Sequence, residues 1–390
     1  MSIASFFKPA GGSSSGAKRP REEENVAATA ASLTQPLPQP RTLCAWNANS
    51  LLNRIEKDKS AVAEFLTTDA PDLIIVTEVR MPAAGPAGCK KDDGKPRRRS
   101  EISKATAAQA READVIASFL RTHNYRAYYT LSDSKYAGTA LLVRRDRAQP
   151  DPASLRYTLS DGGPPGQHTV EGRVIRCSFA DFELLGTYAP NNGVTETSFA
   201  KRRAWDSECD ALLRAHRAAA AKPLVWLGDL NVAAGWHDVG PDPDWFRNAN
   251  GQTALHADDK GQPGFTANEQ TRFAALLDVG GLTDVYRHLH PTANWQIDAT
   301  WRGTPGVNNP AEGRYYNKGM RIDYVLTSAS LVPRIRRAVV HGKGPERRGF
   351  LGSDHCPLLV ELDALPSEGV ASEASEGMDE PDEAKKREGA

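Results

Sequence analysis

The stretch LVWLGDLN, residues 224–231, places four apolar residues directly before a glycine and an Asp-x-Asn pair. Leu224, Val225, Trp226 and Leu227 form a short continuous apolar block, as expected for a strand buried on both faces. Gly228 reads as the turn that ends it. Side chains two apart on an extended chain point the same way. Asp229 and Asn231 are therefore expected to face one site at the strand's C-terminal mouth, where functional groups of α/β folds collect. A lone Asp-x-Asn is more often an Asx-turn, so the rest of the chain has to decide.

The same arrangement recurs at other apolar runs. WNANS puts Asn47 and Asn49 after the run 42–46, and VTEVR puts Glu78 after 72–77. TYAPNNG ends the run 183–188 with Tyr188, Asn191 and Asn192. RIDY sets Asp323 at the start of 321–326, and GSDHCP sets Asp354 beside His355 ahead of 358–362. Each alone is explained by turn chemistry; their joint occurrence at successive strand ends describes one polar crater built from strand tips. Further strands are expected at 139–143 and 174–179. Helices are expected at 57–66, 107–122, 198–220 and 269–279, with a helical turn near 284–288. Early strands follow one another with few helices between, which fits mixed sheets better than strict βαβ winding.

A chain of 390 residues has room for one large α/β domain or two ordinary ones. The balance of 49 basic and 49 acidic residues conceals segregation. Residues 364–390 carry a net −5, residues 1–40 a net +1, and the body 41–363 is mildly basic at +4. That balance allows nucleic-acid binding without demanding it. The five cysteines show no CxxC or CxxH spacing, which argues for a reducing compartment and against structural zinc. No apolar run approaches the ~18 residues of a membrane helix, and no secretory signal is apparent. A soluble intracellular protein is expected, with disordered polar tails at 8–40 and 364–390. Residues 81–106 and 237–262 read as surface loops.

WNANS, TEVR, YAPNNG, GDLN, GFT, RIDY and GSDHCP, in that order, resemble the exonuclease III family of abasic-site endonucleases. EGRVI (171–175), RRAWD (202–206) and DVYRHLHP (284–291) support the likeness, which spans 42–362. The resemblance implies an α/β fold, a four-layered sandwich of two packed mixed β-sheets flanked by helices. It also implies a Mg²⁺-dependent enzyme, with Mn²⁺ as a substitute, that cuts double-stranded DNA on the 5' side of an abasic site and leaves a 3'-OH. Exonuclease or 3'-phosphodiesterase activity accompanies that in the family.

Phosphodiester hydrolysis needs an in-line water, and donors for the charge that builds on oxygen. Glu78 is a hard oxygen ligand of the kind Mg²⁺ prefers, with Asn49 and Asp354 as further metal contacts. Asp354 is equally a candidate to protonate the leaving oxygen. Asp229 is expected to orient or deprotonate the water, with Asn231 beside it. His355 donates to a non-bridging oxygen, its tautomer set by Asp323. The match places Tyr188 and Asn191 on the phosphate and leaving group, with Asn47 and Arg80 as further phosphate or DNA contacts. The abasic pocket falls to Thr300, Trp301, Met320 and Ile322. The family's aromatic is replaced by Thr300, which is expected to leave a roomier or wetter pocket.

The insertion 82–111, with eight basic and three acidic residues, reads as a solvated loop or a backbone-phosphate contact. The basic run 332–348 is a second segment that could flank a duplex. Ile3, Phe6 and Phe7 resemble a sliding-clamp (PCNA) binding box without its leading Gln, and KRPR (18–21) resembles a nuclear-import signal. The expectation is a nuclear, monomeric enzyme. Two other readings stand beside it. One is a different phosphodiesterase of the wider superfamily, such as a retrotransposon-type endonuclease or an inositol or lipid phosphatase. The other is a non-catalytic DNA or clamp adaptor.

Overall fold

The computed structural model describes residues 36–83, 107–160, 167–219, 221–249, 254–303 and 314–364. The clamp-like box, the basic quartet 18–21, most of the basic insertion and nearly all of the acidic tail lie outside the described residues. Pro38 and Gln39, which the sequence reading leaves in the tail, are bonded to the body. Ala148 N–H donates to Pro38 O at 2.9 Å and Ala180 N–H to Gln39 Oε1 at 3.1 Å.

In chain order the first strands are β1 (Thr42–Asn47), β2 (Leu73–Thr77), β3 (Tyr125–Thr130), β4 (Thr139–Arg144), β5 (Val174–Ser178), β6 (Glu183–Tyr188) and β7 (Leu224–Asp229). They are followed by β8 (Val239–Gly240), β9 (Leu282–Asp284), β10 (Trp301–Arg302), β11 (Gly319–Met320), β12 (Asp323–Ser328), β13 (Ile335–Val340) and β14 (Leu358–Leu362). One sheet runs β13-β14-β1-β2-β4-β3, the second β5-β6-β7-β12-β9, and β10-β11-β8 form a short ribbon. Both large sheets are mixed: β1 and β2 are parallel, as are β6 and β7, with antiparallel neighbours outside each pair.

The continuous apolar strands follow from this layering. Alternate side chains of a strand face opposite sides, and here both sides are covered. Leu43, Ala45, Leu73 and Ile75 meet Ile175, Leu184, Val225 and Leu227 between the sheets. On the outer face of the first sheet, Cys44, Trp46, Ile74 and Val76 pack against α1 (Leu51–Lys57), α2 (Lys59–Thr68) and α3 (Ala107–Thr122). On the other outer face, Leu185, Trp226, Tyr324 and Leu326 pack against α4 (Glu196–Ala218) and α5 (Ala267–Gly280). The order is helix, sheet, sheet, helix, as the resemblance implies. Each large side chain buried this way contributes roughly 1.5–3 kcal/mol. No helix among the described residues is long and apolar enough to cross a membrane.

Three local expectations are corrected. The helix expected at 57–66 lies two residues further on, at Lys59–Thr68, and a separate helix at Leu51–Lys57 precedes it across Asp58. The edge strands β3, β9 and β13 were not read, because their faces carry polar residues such as Arg126, Arg336 and Arg337. The segment 237–262 is not all surface loop. It holds β8 and a helix at Pro243–Asn248, capped where Asp242 accepts from Trp245 N–H, and it buries Phe246 and Asp259.

Candidate active site

β1, β2, β6 and β7 run toward one edge of the sandwich, and β12 and β14 start from it. Strand direction alone therefore brings Asn47, Glu78, Tyr188, Asp229, Asp323 and His355 to one mouth. Asn47 closes β1, Tyr188 closes β6, Asp229 closes β7 and Asp323 opens β12 directly opposite Asp229.

Gly228 does not end the strand; β7 continues through Asp229. Gly228 has φ 140°, and a Cβ there would sit 2.0 Å from Thr187 O on β6. Only glycine allows this approach. The chain turns instead at Asn231, in the left-handed region at φ 49°, and its N–H donates to Asp229 Oδ1 at 2.9 Å. The Asx link is real, and it fixes the carboxylate of Asp229. The Asn231 amide donates to Ala189 O at 2.9 Å and accepts from Asn191 at 3.2 Å. Asn49 and Glu78 also adopt positive φ, at 44° and 48°. Such backbone is uncommon outside glycine, and strained residues of this kind cluster at functional sites.

His355 Nδ1 lies 2.8 Å from Asp323 Oδ2, and its Nε2 faces Asp229 Oδ2 at 3.9 Å. Burial opposes charge on His355, but Asp323 and Asp229 outweigh it and push its pKa up to about 10. Burial and then Asp323 raise Asp229 to about 7, against the pull of His355, Asn47 and the Asn231 N–H. A carboxylate whose pKa is raised, 3.9 Å from a histidine whose pKa its carboxylate neighbours also raise, is suited to base and donor chemistry. Ligand atoms of Asp229, Asp323 and His355 all lie within 4.8 Å of one another, so this trio could hold a metal ion.

A second acidic group flanks it. Glu78 Oε1 accepts from Asn47 at 3.1 Å and from the Tyr188 hydroxyl at 2.8 Å, while Oε2 takes Arg80 Nε at 2.8 Å. Asn49 donates to Asp354 Oδ1 at 2.8 Å and Trp301 Nε1 to Oδ2 at 3.2 Å. Burial raises the Asp354 pKa, but His355 and these hydrogen bonds prevail and hold it below the usual carboxylate value. Burial, then Glu78, raises the Tyr188 phenol well above its ordinary pKa, keeping it protonated. Glu78, Asp354 and the Asn49 amide oxygen are hard donors, which suits Mg²⁺ better than the nitrogen-containing trio does.

The family model of the endonuclease/exonuclease/phosphatase family matches residues 44–355. The chain belongs to that family. A DNA-(apurinic or apyrimidinic site) endonuclease of Arabidopsis thaliana is 39% identical over 344 residues, covering 86% of this chain and 89% of the relative. An exodeoxyribonuclease of Streptococcus pneumoniae is 26% identical over 329 residues, covering 82% of this chain and 99% of the relative. Among solved structures, a 3' phosphatase from Neisseria bound to a product DNA hairpin has the same fold. It aligns with TM-score 0.56 and 21% identity over 83% of this chain and all of that one. The protein is a hydrolase, a nuclease of this superfamily.

Several expected contacts of this nuclease need revision. Asn47 is fully buried, with its amide hydrogens on Glu78 and Asp229 and its Oδ1 accepting from Asn49 N–H. It organises the site and has no group left for phosphate. Thr300 is 0% exposed, and its hydroxyl accepts the N–H groups of Ile322 and Asp323, both at 3.0 Å. Met320 and Ile322 pack inward with Phe246 and Phe265. Trp301 is partly exposed and pairs with His355 as an isolated bridge. Asn191 and Arg80 remain exposed at the rim.

The sequence reading also missed the residues that hold these tips. Arg202 is buried and pairs with Asp206, and its guanidinium donates to Pro190 O, Asn231 O and Leu230 O at 3.0–3.1 Å. One side chain thereby ties the loops of Asn191 and Asn231 together. The i,i+4 Arg–Asp spacing in RRAWD was the available signal. Ser353 donates to Asn47 O at 2.8 Å and accepts His355 N–H, fixing GSDHCP to the end of β1.

Proposed function

We propose that this nuclease hydrolyses the DNA phosphodiester on the 5' side of an abasic site, with Mg²⁺ as cofactor, and leaves a 3'-OH. The observation that carries the reading is the Asp229 carboxylate held between the Asn47 amide at 2.8 Å and His355 Nε2 at 3.9 Å. That spacing between Asp229 and His355 suits an oxygen bound to both. Asp229 orients the attacking water and takes its proton. His355, held by Asp323, donates a charge-assisted hydrogen bond to a non-bridging phosphate oxygen. The Asn231 amide contributes a further donor, the Tyr188 hydroxyl holds Glu78 Oε1 at 2.8 Å, and Asn191 stands at the rim. Glu78, with Asn49 and Asp354, would hold Mg²⁺. The ion, when bound, supplies positive charge to the phosphate oxygens.

The named activity of the Arabidopsis relative supports the abasic substrate. The exodeoxyribonuclease and 3' phosphatase relatives support 3'-end trimming as an additional activity. We place the protein in the nucleus as a monomer, with Ile3, Phe6 and Phe7 engaging the sliding clamp. The basic insertion 82–111 would track the duplex backbone. The decisive experiment is incision of a duplex carrying one synthetic abasic site, with and without Mg²⁺, against an undamaged duplex. Absence of incision in both conditions would refute the proposal, and cutting of a phosphoinositide in its place would favour another superfamily phosphodiesterase.

A further inference from the structure

Trp236 stands five residues beyond Asn231 and is 48% exposed. Its surroundings are far from loose. Ala233 N–H donates to Gly264 O at 2.7 Å, and Gln270 bonds both Ala233 O and the Arg247 guanidinium, at 3.1 and 2.9 Å. The Arg247 guanidinium lies over the Trp236 ring, 5.2 Å from its centroid, and Phe265 meets the ring edge-on at 5.5 Å.

Just beyond the tryptophan, buried Asp238 accepts from Arg321 Nε and Arg287 Nη2, both at 2.7 Å. Arg321 continues to Asp284 at 2.6 Å and Arg287 to Asp298 at 3.1 Å. Buried charges of this kind are costly to desolvate, and removing one partner strands the other. Here they fix a short loop that leads out of the catalytic mouth and holds a large indole in water. Beside it a Cβ on Gly235 would meet nothing within 4 Å.

We infer that Trp236, backed by Arg247, is a stacking platform for one unpaired nucleobase of the DNA strand being cut. The inference rests on the nuclease reading above and adds a base contact to it. A nucleobase fits the chemistry better than a protein side chain. The platform joins a flat π-face to a guanidinium, the combination that holds bases along a single strand. It also lies one loop from the Asp229 and Asn231 that face the scissile phosphate. An extruded or frayed base next to the cut would rest on it, giving the enzyme a preference for DNA whose flanking base is free to unstack.

The test uses the full chain and a duplex with one synthetic abasic site. 2-Aminopurine is placed in turn at the two nucleotides on either side. Wild-type protein should quench or shift the fluorescence at one of these positions. Trp236→Ala should abolish that signal and weaken binding by about 5- to 150-fold, the range of one lost base stack. Trp236→Phe should restore most of both. A thermal melt of each variant separates stacking from folding. Unchanged binding and unchanged fluorescence in Trp236→Ala, with wild-type incision intact, overturn the platform and leave the nuclease assignment standing. A wild-type chain that neither binds nor cuts the abasic duplex overturns both.

Discussion

The Asn47 amide donates to Asp229 Oδ2 at 2.8 Å across 182 residues of sequence, and to Glu78 Oε1 at 3.1 Å. Asn47 closes a strand of one sheet and Asp229 a strand of the other, so this contact joins the sheets at the catalytic mouth. It also couples the carboxylate assigned to the water with the one assigned to the metal.

Asp229→Asn keeps the size of the side chain and removes its charge and basicity. Single-turnover incision should slow by at least ~10²-fold, the lower end of general-base contributions. DNA affinity should hold or rise, since a negative charge facing a phosphate is gone. A rate within a few-fold of wild type would reduce Asp229 to the turn-fixing role seen in its bond to Asn231 N–H.

For Glu78→Gln, the expected result is a large loss of Mg²⁺-dependent incision with duplex binding retained, because the proposed phosphate donors lie elsewhere. Calorimetric titration of Mg²⁺ into the DNA-free variant should show weakened ion binding. Normal cutting at limiting Mg²⁺ would remove Glu78 from the ligand set.

Thr300→Val replaces an acceptor of two buried N–H groups with a methyl. Stability should fall by about 1–3 kcal/mol per orphaned donor, read by denaturant unfolding, while Thr300→Ser should stay close to wild type. If the valine variant is equally stable and merely changes substrate preference, Thr300 belongs to the pocket after all.

Asp238 gives a dependence on pH. Burial raises its pKa, but Arg321 and Arg287 prevail and hold it below the ordinary aspartate value. A depressed folded-state pKa contributes stability above the unfolded value, and that contribution is lost as pH falls through the folded one. Asp238→Asn should therefore cost about 3–5 kcal/mol near neutrality, as for one broken partner of a buried ion pair. The gap between the two proteins should close in acid. A gap that stays constant down to pH 3 would show that the charge of Asp238 contributes nothing.

In the N-terminal tail, Phe6→Ala combined with Phe7→Ala should abolish pull-down of the sliding clamp and leave incision of short duplexes unchanged. Equal recovery of clamp by both proteins would disprove the box.

Residue order by itself determined the strands that are apolar on both faces, the polar tips that follow them and the family likeness carried by those tips. These are local patterns: the run LVWL demands two covered faces wherever it folds, and GDLN or GSDHCP is legible without any partner. Edge strands such as Ile335–Val340 were not, because one half-exposed strand has no distinctive period beside its neighbours. Only the tertiary structure decided what each tip does. Gly228 is required by the backbone of Thr187, Thr300 by two N–H groups on the start of β12, and Asn47 by carboxylates 31 and 182 residues away. Hydrogen-bond capacity is a property of a residue, but which partners consume it depends on contacts between strands far apart in the chain.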